Sequence, residues 1–313
     1  MSDEIELYPA ERVAIVVERL ATLLQGGGAP AAAWARLAAF AESKPVRARR
    51  RSRRRADAPI ELQLADAVAG GANPADVLQQ HDEEAWRALG ALWSFTEQTG
   101  APLGASLQQL AAGFRDLGQS EREVAIALAG PAATARLVTV LPFVGMALGF
   151  TLGFDTFGVL VGGPVGWVLL SAGALLLVAA RQWNRALIDR ATQRSLTPGL
   201  GLDLIATGMH GGADAGTVAK DAAHVLGEFQ LASSGVERAG PVLKLAAEAG
   251  VPAGDLLRSE AQLERQSART AAAQAAARLG TQLMLPLGVC ILPAFLALGV
   301  APILIAVLRQ AMP

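Results

Sequence analysis

The sequence predicts an all-α membrane protein: two cytoplasmic antiparallel helical bundles, related by an internal duplication whose second copy is shortened, and three transmembrane helices. Three observations lead there. Two stretches in the middle of the chain and one near its C-terminus contain no Lys, Arg, Asp or Glu. The segments between them carry apolar residues at helical spacing, closed by glycine turns. Alanine is abundant and β-branched runs are short, which favours helix over strand. A hydrophobic share of 52% with a mean hydropathy of +0.35 places the chain with membrane proteins, and 313 residues leave room for about two soluble domains. The formal net charge of −1 points to neither nucleic acid nor an acidic ligand.

The first bundle is expected over 1–136. Val13, Val16, Val17, Leu20, Leu23 and Leu24 fall on one helical face, and Gly26, Gly27 and Gly28 stop that helix. Pro30 starts another, carrying Trp34 and Leu37. A glycine turn at Gly70 and Gly71 leads to Asn73 and Pro74, a cap and first-turn pair. Ala85, Trp86, Leu89, Leu92, Trp93 and Thr96 continue the pattern up to a third turn at Gly100, Pro102 and Gly104, after which Leu103, Leu107, Leu110, Phe114 and Leu117 follow. Within 44–58 lies a run of seven arginines, Arg47, Arg49, Arg50, Arg51, Arg53, Arg54 and Arg55. Such a block repels itself and reads first as a solvated linker; attraction to anionic lipid headgroups is the functional alternative. With no aromatic interleaving, it does not read as a nucleic-acid site.

A transmembrane hairpin follows over 137–180, with spans at 137–153 and 158–180 joined by Phe154, Asp155, Thr156 and Phe157. The second bundle is expected over 181–278. Its landmarks repeat those of the first: Gly211, Gly212 and Ala213 against Gly27, Gly28 and Ala29, and Gly250, Pro252, Gly254 and Leu257 against Gly100, Pro102, Gly104 and Leu107. The middle turn at Gly70 to Pro74 has no counterpart there. The third apolar stretch, 279–308, is too short for two spans and contains Pro286, Pro293 and Pro302, so it is expected as one kinked helix before a tail at 309–313.

Residues for chemistry are sparse. His81, His210 and His224 are isolated from one another, and Cys290 lies in an apolar stretch without a basic neighbour. No phosphate-binding glycine loop and no nucleophile elbow is present, and the spans lack ionisable residues for an ion relay. The reading is therefore of a non-enzyme without cofactor, metal or catalytic residues. What remains is interaction. Gly145, Gly149 and Gly153 in the first span and Gly162 with Gly166 in the second have the spacing that lets membrane helices approach closely. The turns Gly100–Pro102–Gly104 and Gly250–Pro252–Gly254 are expected to set a bend between a bundle helix and the long helix that follows.

Soluble helical segment, hairpin, second soluble segment and terminal span resemble the type II secretion system F family, the inner-membrane platform proteins of type II secretion and type IV pili. The resemblance rests on the glycine-terminated leading helices Leu20 to Gly28 and Leu204 to Gly212, and on the turns Gly100 to Leu107 and Gly250 to Leu257. Leu285, Pro286, Leu287, Gly288, Leu292 and Pro293 are similar to the final span of the branch serving tight-adherence (Tad, Flp) pilus assembly. It implies a multi-pass scaffold of the bacterial cytoplasmic membrane whose partners are a cytoplasmic assembly ATPase, pilin-like subunits, and further copies of itself or a paralogous platform protein. A small membrane permease or channel, with a path lined by Thr139, Thr151, Ser171 and Thr281, is the alternative from another class.

Basic residues fix the expected orientation. Arg115, Arg122 and Arg136 precede the first span, Arg181, Arg185, Arg190 and Arg194 follow the second, and Arg258, Arg265, Arg269 and Arg278 precede the third, against Arg309 alone beyond it. The positive-inside rule then puts the N-terminus and middle segment in the cytoplasm and the C-terminus outside. Reporter fusions after Arg115 and Arg194 should read cytoplasmic and one at Pro313 external; a cytoplasmic reading at Pro313 would mean that 279–308 folds back rather than crosses.

Overall fold

The computed structural model describes residues 8–43, 59–151, 156–192, 197–211 and 213–311. The arginine run lies outside them. Among the described residues all regular structure is helical, and the chain divides into two units, one of residues 1–122 with 195–270, the other of 123–194 with 271–313.

The first unit holds α1 (Pro9–Gln25), α2 (Pro30–Glu42), α3 (Ile60–Ala69), α4 (Pro74–Gln79), α5 (Glu84–Thr99) and the start of α6 (Leu103–Thr151). From the later stretch it takes α9 (Leu200–Gly208) with a 3₁₀ turn (Met209–Gly211), α10 (Ala215–Glu228), α11 (Ser234–Ala249) and the start of α12 (Ala253–Gln282). Pro9, Pro30 and Pro74 open their helices where the missing N–H costs nothing. The Asn73 side chain accepts the Ala75 N–H at 2.9 Å and Asp214 accepts that of Thr217 at 3.0 Å, capping α4 and α10.

The stretches expected as two separate bundles share one apolar core. It includes Val17 and Leu20 of α1, Leu89 and Phe95 of α5, Leu204 and Ile205 of α9, and Val225 of α10, all fully buried. Periodicity in a sequence marks the face a helix must bury; it does not say which helix will cover it. At the centre is α5, whose residues Ala88 to Trp93 are all buried. Gly90 makes room for the Phe229 ring: a Cβ there would lie 2.5 Å from Phe229 Cε1 and 2.8 Å from Leu78 Cβ. A Cβ on Gly208 would come within 3.0 Å of Phe95 Cζ. Arg87 donates from Nε to the Phe229 carbonyl at 3.1 Å and from Nη1 to the carbonyls of His81 and Asp82 at 3.0 and 2.8 Å. Gln79 donates to the Glu228 carbonyl at 3.0 Å. The bonds to Phe229 and Glu228 satisfy acceptors that the end of α10 leaves without helical partners.

The two stretches differ in what joins their second and third helices. Between α2 and α5 lie α3 and α4, and Glu97 of α5 ties the cap of α4: it accepts Trp93 Nε1 and Asn73 Nδ2, each at 2.8 Å. Between α10 and α11 there is only a short link.

The second unit holds the end of α6, α7 (Thr156–Val161), α8 (Pro164–Thr192) and the end of α12. It is completed by α13 (Met284–Pro286), a π turn (Leu287–Ile291), α14 (Leu292–Phe295), a second π turn (Leu296–Val300) and α15 (Ala301–Ala311). Two helical runs are long and apolar enough to cross a bilayer, Pro164–Leu187 with a mean hydropathy of 1.7 and, within Ala253–Leu308, a window of 2.6. Only 17% and 33% of those windows are buried, so their apolar surface faces outward, unlike that of a soluble core helix. Both runs are candidate membrane spans. Of the expected first span, residues 137–151 continue α6, and 152–153 lie outside the described residues. The second was expected from residue 158, but the helix is interrupted at Gly162 and Gly163 and resumes at Pro164, whose ring cannot follow an unbroken helix.

The third stretch is helical apart from a turn at Leu283, and its π turns accommodate two of its three prolines. The carbonyls that Pro293 and Pro302 cannot serve, those of Val289 and Leu298, fall inside the two π turns. Ala180 packs on Cys290 and Ile291, and Gly173 lies so close to Leu298 that a Cβ would meet its Cγ at 2.4 Å.

Gly90→Val should destabilise the shared core by about 1–3 kcal/mol, the scale of overpacking. Gly227→Val, with nothing within 4 Å of the new Cβ, should cost no more than a helix-surface change. Denaturant unfolding of the detergent-solubilised protein, followed by tryptophan fluorescence, checks the difference.

Candidate functional site

The two Gly–Pro–Gly turns have matching geometry. In the first, α5 ends at Thr99, Gly100 takes the left-handed conformation (φ 68°, ψ 16°), and α6 begins one residue after Pro102. In the second, α11 ends at Ala249, Gly250 is left-handed (φ 65°, ψ 29°), and α12 begins one residue after Pro252. A side chain at either glycine would clash with its own backbone. The second glycine of each turn serves a different purpose. Gly104 and Gly254 are helical and pack against the leading helix of their own half: a Cβ on Gly104 would lie 2.9 Å from Gln25 Cγ and 3.8 Å from the Ala21 carbonyl, and one on Gly254 would lie 3.6 Å from the Ala206 carbonyl. The expectation that all four glycines define a bend therefore narrows to Gly100 and Gly250.

Beyond each turn the long helix is tied to the leading helix at the same two steps. Eight residues past the left-handed glycine, Gln108 donates to Gln25 Oε1 at 3.0 Å, and Arg258 lies 2.8 Å from His210 Nε2. Fifteen residues past it, Arg115 pairs with Glu18 and Arg265 with Asp203, both at 2.6 Å. Leu107 and Leu257, one residue before the first tie, are fully buried. The outer ties differ in setting: Arg115 and Glu18 are more than half exposed, whereas Arg265 and Asp203 are largely buried. Burial pushes the Asp203 carboxyl above its ordinary range, with the Arg265 charge pulling the other way.

None of these four pairs was identified from the sequence, where His210 stood isolated. The signal was available as equal spacing, a polar residue eight and an arginine fifteen positions after Gly100 and Gly250. The packing also shifts the alignment of the leading helices by one residue: Ala21 with Ala206 and Gln25 with His210 put Gly26, not Gly27, opposite Gly211.

The glycines expected to pack membrane helices fall into three groups. Gly145 meets the third stretch: a Cβ there would be 3.1 Å from Phe295 Cε2 and 3.5 Å from Gly299 Cα. Gly162 and Gly166 face carbonyls of their own chain, Gly158 and Val159, at the break before α8, so their tightness is that of a turn. Gly149 continues α6 with its packing undescribed, and Gly153 lies outside the described residues. Gly173 and Gly299, which approach Leu298 and Phe295, were not among the expected residues.

The family described as type II secretion system (T2SS), protein F matches residues 16–151, from within α1 to the last residue of α6. These residues belong to the type II secretion system F family. The F domain thus takes in the leading helix, the first left-handed glycine turn and the long helix launched from it. Its family is one of membrane platform proteins of secretion and pilus assembly. No curated protein and no solved structure matches the chain.

Gly100→Val and Gly250→Val should each cost about 1–3 kcal/mol for a side chain held at positive φ. Gly254→Ala, whose Cβ would make ordinary contact with Ala206, should cost less than about 1 kcal/mol. Denaturant midpoints of the purified variants check this ordering; equal losses at Gly250 and Gly254 would contradict it.

Proposed function

We propose that the chain is a multi-pass platform of the bacterial cytoplasmic membrane, serving a type II secretion or Tad/Flp-type pilus machine and coupling a cytoplasmic assembly ATPase to the movement of pilin-like subunits. The observation that carries this reading is the F-domain match over 16–151, joined to the recurrence of its turn and ties after residue 197. Internal duplication accounts for that recurrence: the leading helices α1 and α9, the left-handed glycines and the long helices α6 and α12 stand in the same order with the same tie spacing. Residues 1–136 and 181–278 form the cytoplasmic part, 137–180 the hairpin and 279–308 the last span, with the C-terminus outside. In this account the scaffold has no catalytic residues. The cytoplasmic core receives the ATPase, and α6 and α12 carry its motion toward the spans.

The test is capture of the cognate assembly ATPase by the full-length protein in lipid nanodiscs, together with pilus or secretion output in cells. Gly100→Val and Gly250→Val, at wild-type protein level in the membrane, should both lower capture and output. Normal output from both would contradict the platform reading of the turns, and solute or ion flux through reconstituted protein without an ATPase would favour the permease alternative.

A further inference from the structure

Each long helix is fastened eight residues past its left-handed glycine, and the two fastenings are chemically unlike. In the first half Gln108 donates to Gln25, and neither amide titrates. In the second half the same place holds Arg258 and His210. Imidazole is the side chain whose ordinary titration falls between about pH 5 and 8.

The partners of His210 suit the neutral ring. Nδ1 lies 3.0 Å from the Ala206 carbonyl, which can only accept, so Nδ1 carries the hydrogen. Arg258 Nη2 lies 2.8 Å from Nε2 and 3.2 Å from Nδ1, and a guanidinium can only donate, so Nε2 accepts. A second proton on the ring would remove that acceptor and set an imidazolium against the guanidinium. Arg258 Nη1 is bonded at 3.0 Å to Asp255, which is 75% exposed and gives the guanidinium a solvated partner to move out with. Asp203, whose charge also reaches Arg258, holds Arg265 at 2.6 Å. Charged groups on the other helices packed against α9 have partners of their own. On α10, Asp214 caps the helix and His224 lies beside Glu228; on α11, Arg238 holds Glu264 and Lys244 lies near Glu248; on α5, Glu97 accepts from Trp93 and Asn73. Lys220, Asp221 and Glu237 are exposed, where solvent screens them.

We propose that His210 and Arg258 form a protonation-sensitive latch on the start of α12, closed while the imidazole is neutral and opened by its protonation, and that the start of α6 has no such latch. The tie is complete on the alkaline side of the imidazole range and is lost as the pH falls through it. Mild acid thus loosens the start of one long helix and leaves the other fastened through Gln25 and Gln108. The latch lies within the shared core and does not rest on the platform reading.

Hydrogen exchange of the full-length protein in nanodiscs tests it, measured at about pH 7.5 and about pH 5.5, on either side of the imidazole range, and corrected for the intrinsic rate at each. Protection over 256–262 in α12 should fall at the lower pH by about tenfold or more, the scale of a lost hydrogen bond to a charged group. Protection over 106–112 in α6 and in the buried part of α5 should hold, the latter showing that the fold is intact. His210→Gln places the first half's own residue in the tie; it should keep the protection of 256–262 at the higher pH and remove its dependence on pH. With isotopically labelled histidine, the NMR signal that His210→Gln removes should show a bare Nε2 at the higher pH. Four results would each overturn the proposal: equal protection of 256–262 at both pH values in the unsubstituted protein; the same loss in His210→Gln, which would put the titration on Asp203 or another carboxylate; a loss shared by 106–112 and α5; or a hydrogen on Nε2 at the higher pH.

Discussion

Everything in the first unit depends on one packing constraint: α5, which belongs to the first half of the sequence, is buried against α9 and α10 of the second. That arrangement explains why glycine occupies positions 90 and 208, where the rings of Phe229 and Phe95 take the space a Cβ would need. It also explains Arg87, whose donors reach the carbonyls of Phe229, His81 and Asp82 and so fasten both ends of the contact. Burying a side chain such as Phe95 or Leu89 is worth about 1.5–3 kcal/mol each. The first half would not hold α5 covered without the second.

From this core the long helices are launched by one device used twice. A left-handed glycine ends the preceding helix, a proline opens the next, and two polar ties then fasten the new helix to the leading helix of its half. The outer ties are unequal. An exposed pair such as Arg115 with Glu18 contributes about 0–1 kcal/mol, whereas leaving Arg265 without Asp203 in its largely buried setting would cost about 3–5 kcal/mol. The two outer ties therefore differ in what loss of one partner costs.

Much of this was legible in the sequence. The glycine-stopped helix ending at Gly26, the cap at Asn73 and the breaks at Gly100 and Gly250 are local events, written in residues whose backbone preferences dominate over a few positions. The sharing of one core was not legible, because Leu89 or Leu204 would show the same period whatever helix covers it. The ties were missed for a related reason: Gln25 with Gln108, and His210 with Arg258, are distant in sequence and become neighbours only through the turn. In the membrane part, hydropathy located the apolar stretches but not the break at Gly162 and Gly163, since glycine and proline do not interrupt an apolar run. Nor did it foresee π turns around Pro293 and Pro302, where the prolines do not end the helix.

The central claim is that two halves distant in sequence fold as one cooperative core. Native-state hydrogen exchange of the full-length protein in nanodiscs tests it most directly, because amides that open together share one opening free energy. The account predicts that the slowest amides of α5, α9 and α10 exchange with the same free energy, and that Gly90→Val lowers all three together. Separate opening free energies for α5 and for α9–α10, with the substitution felt in α5 alone, would contradict it.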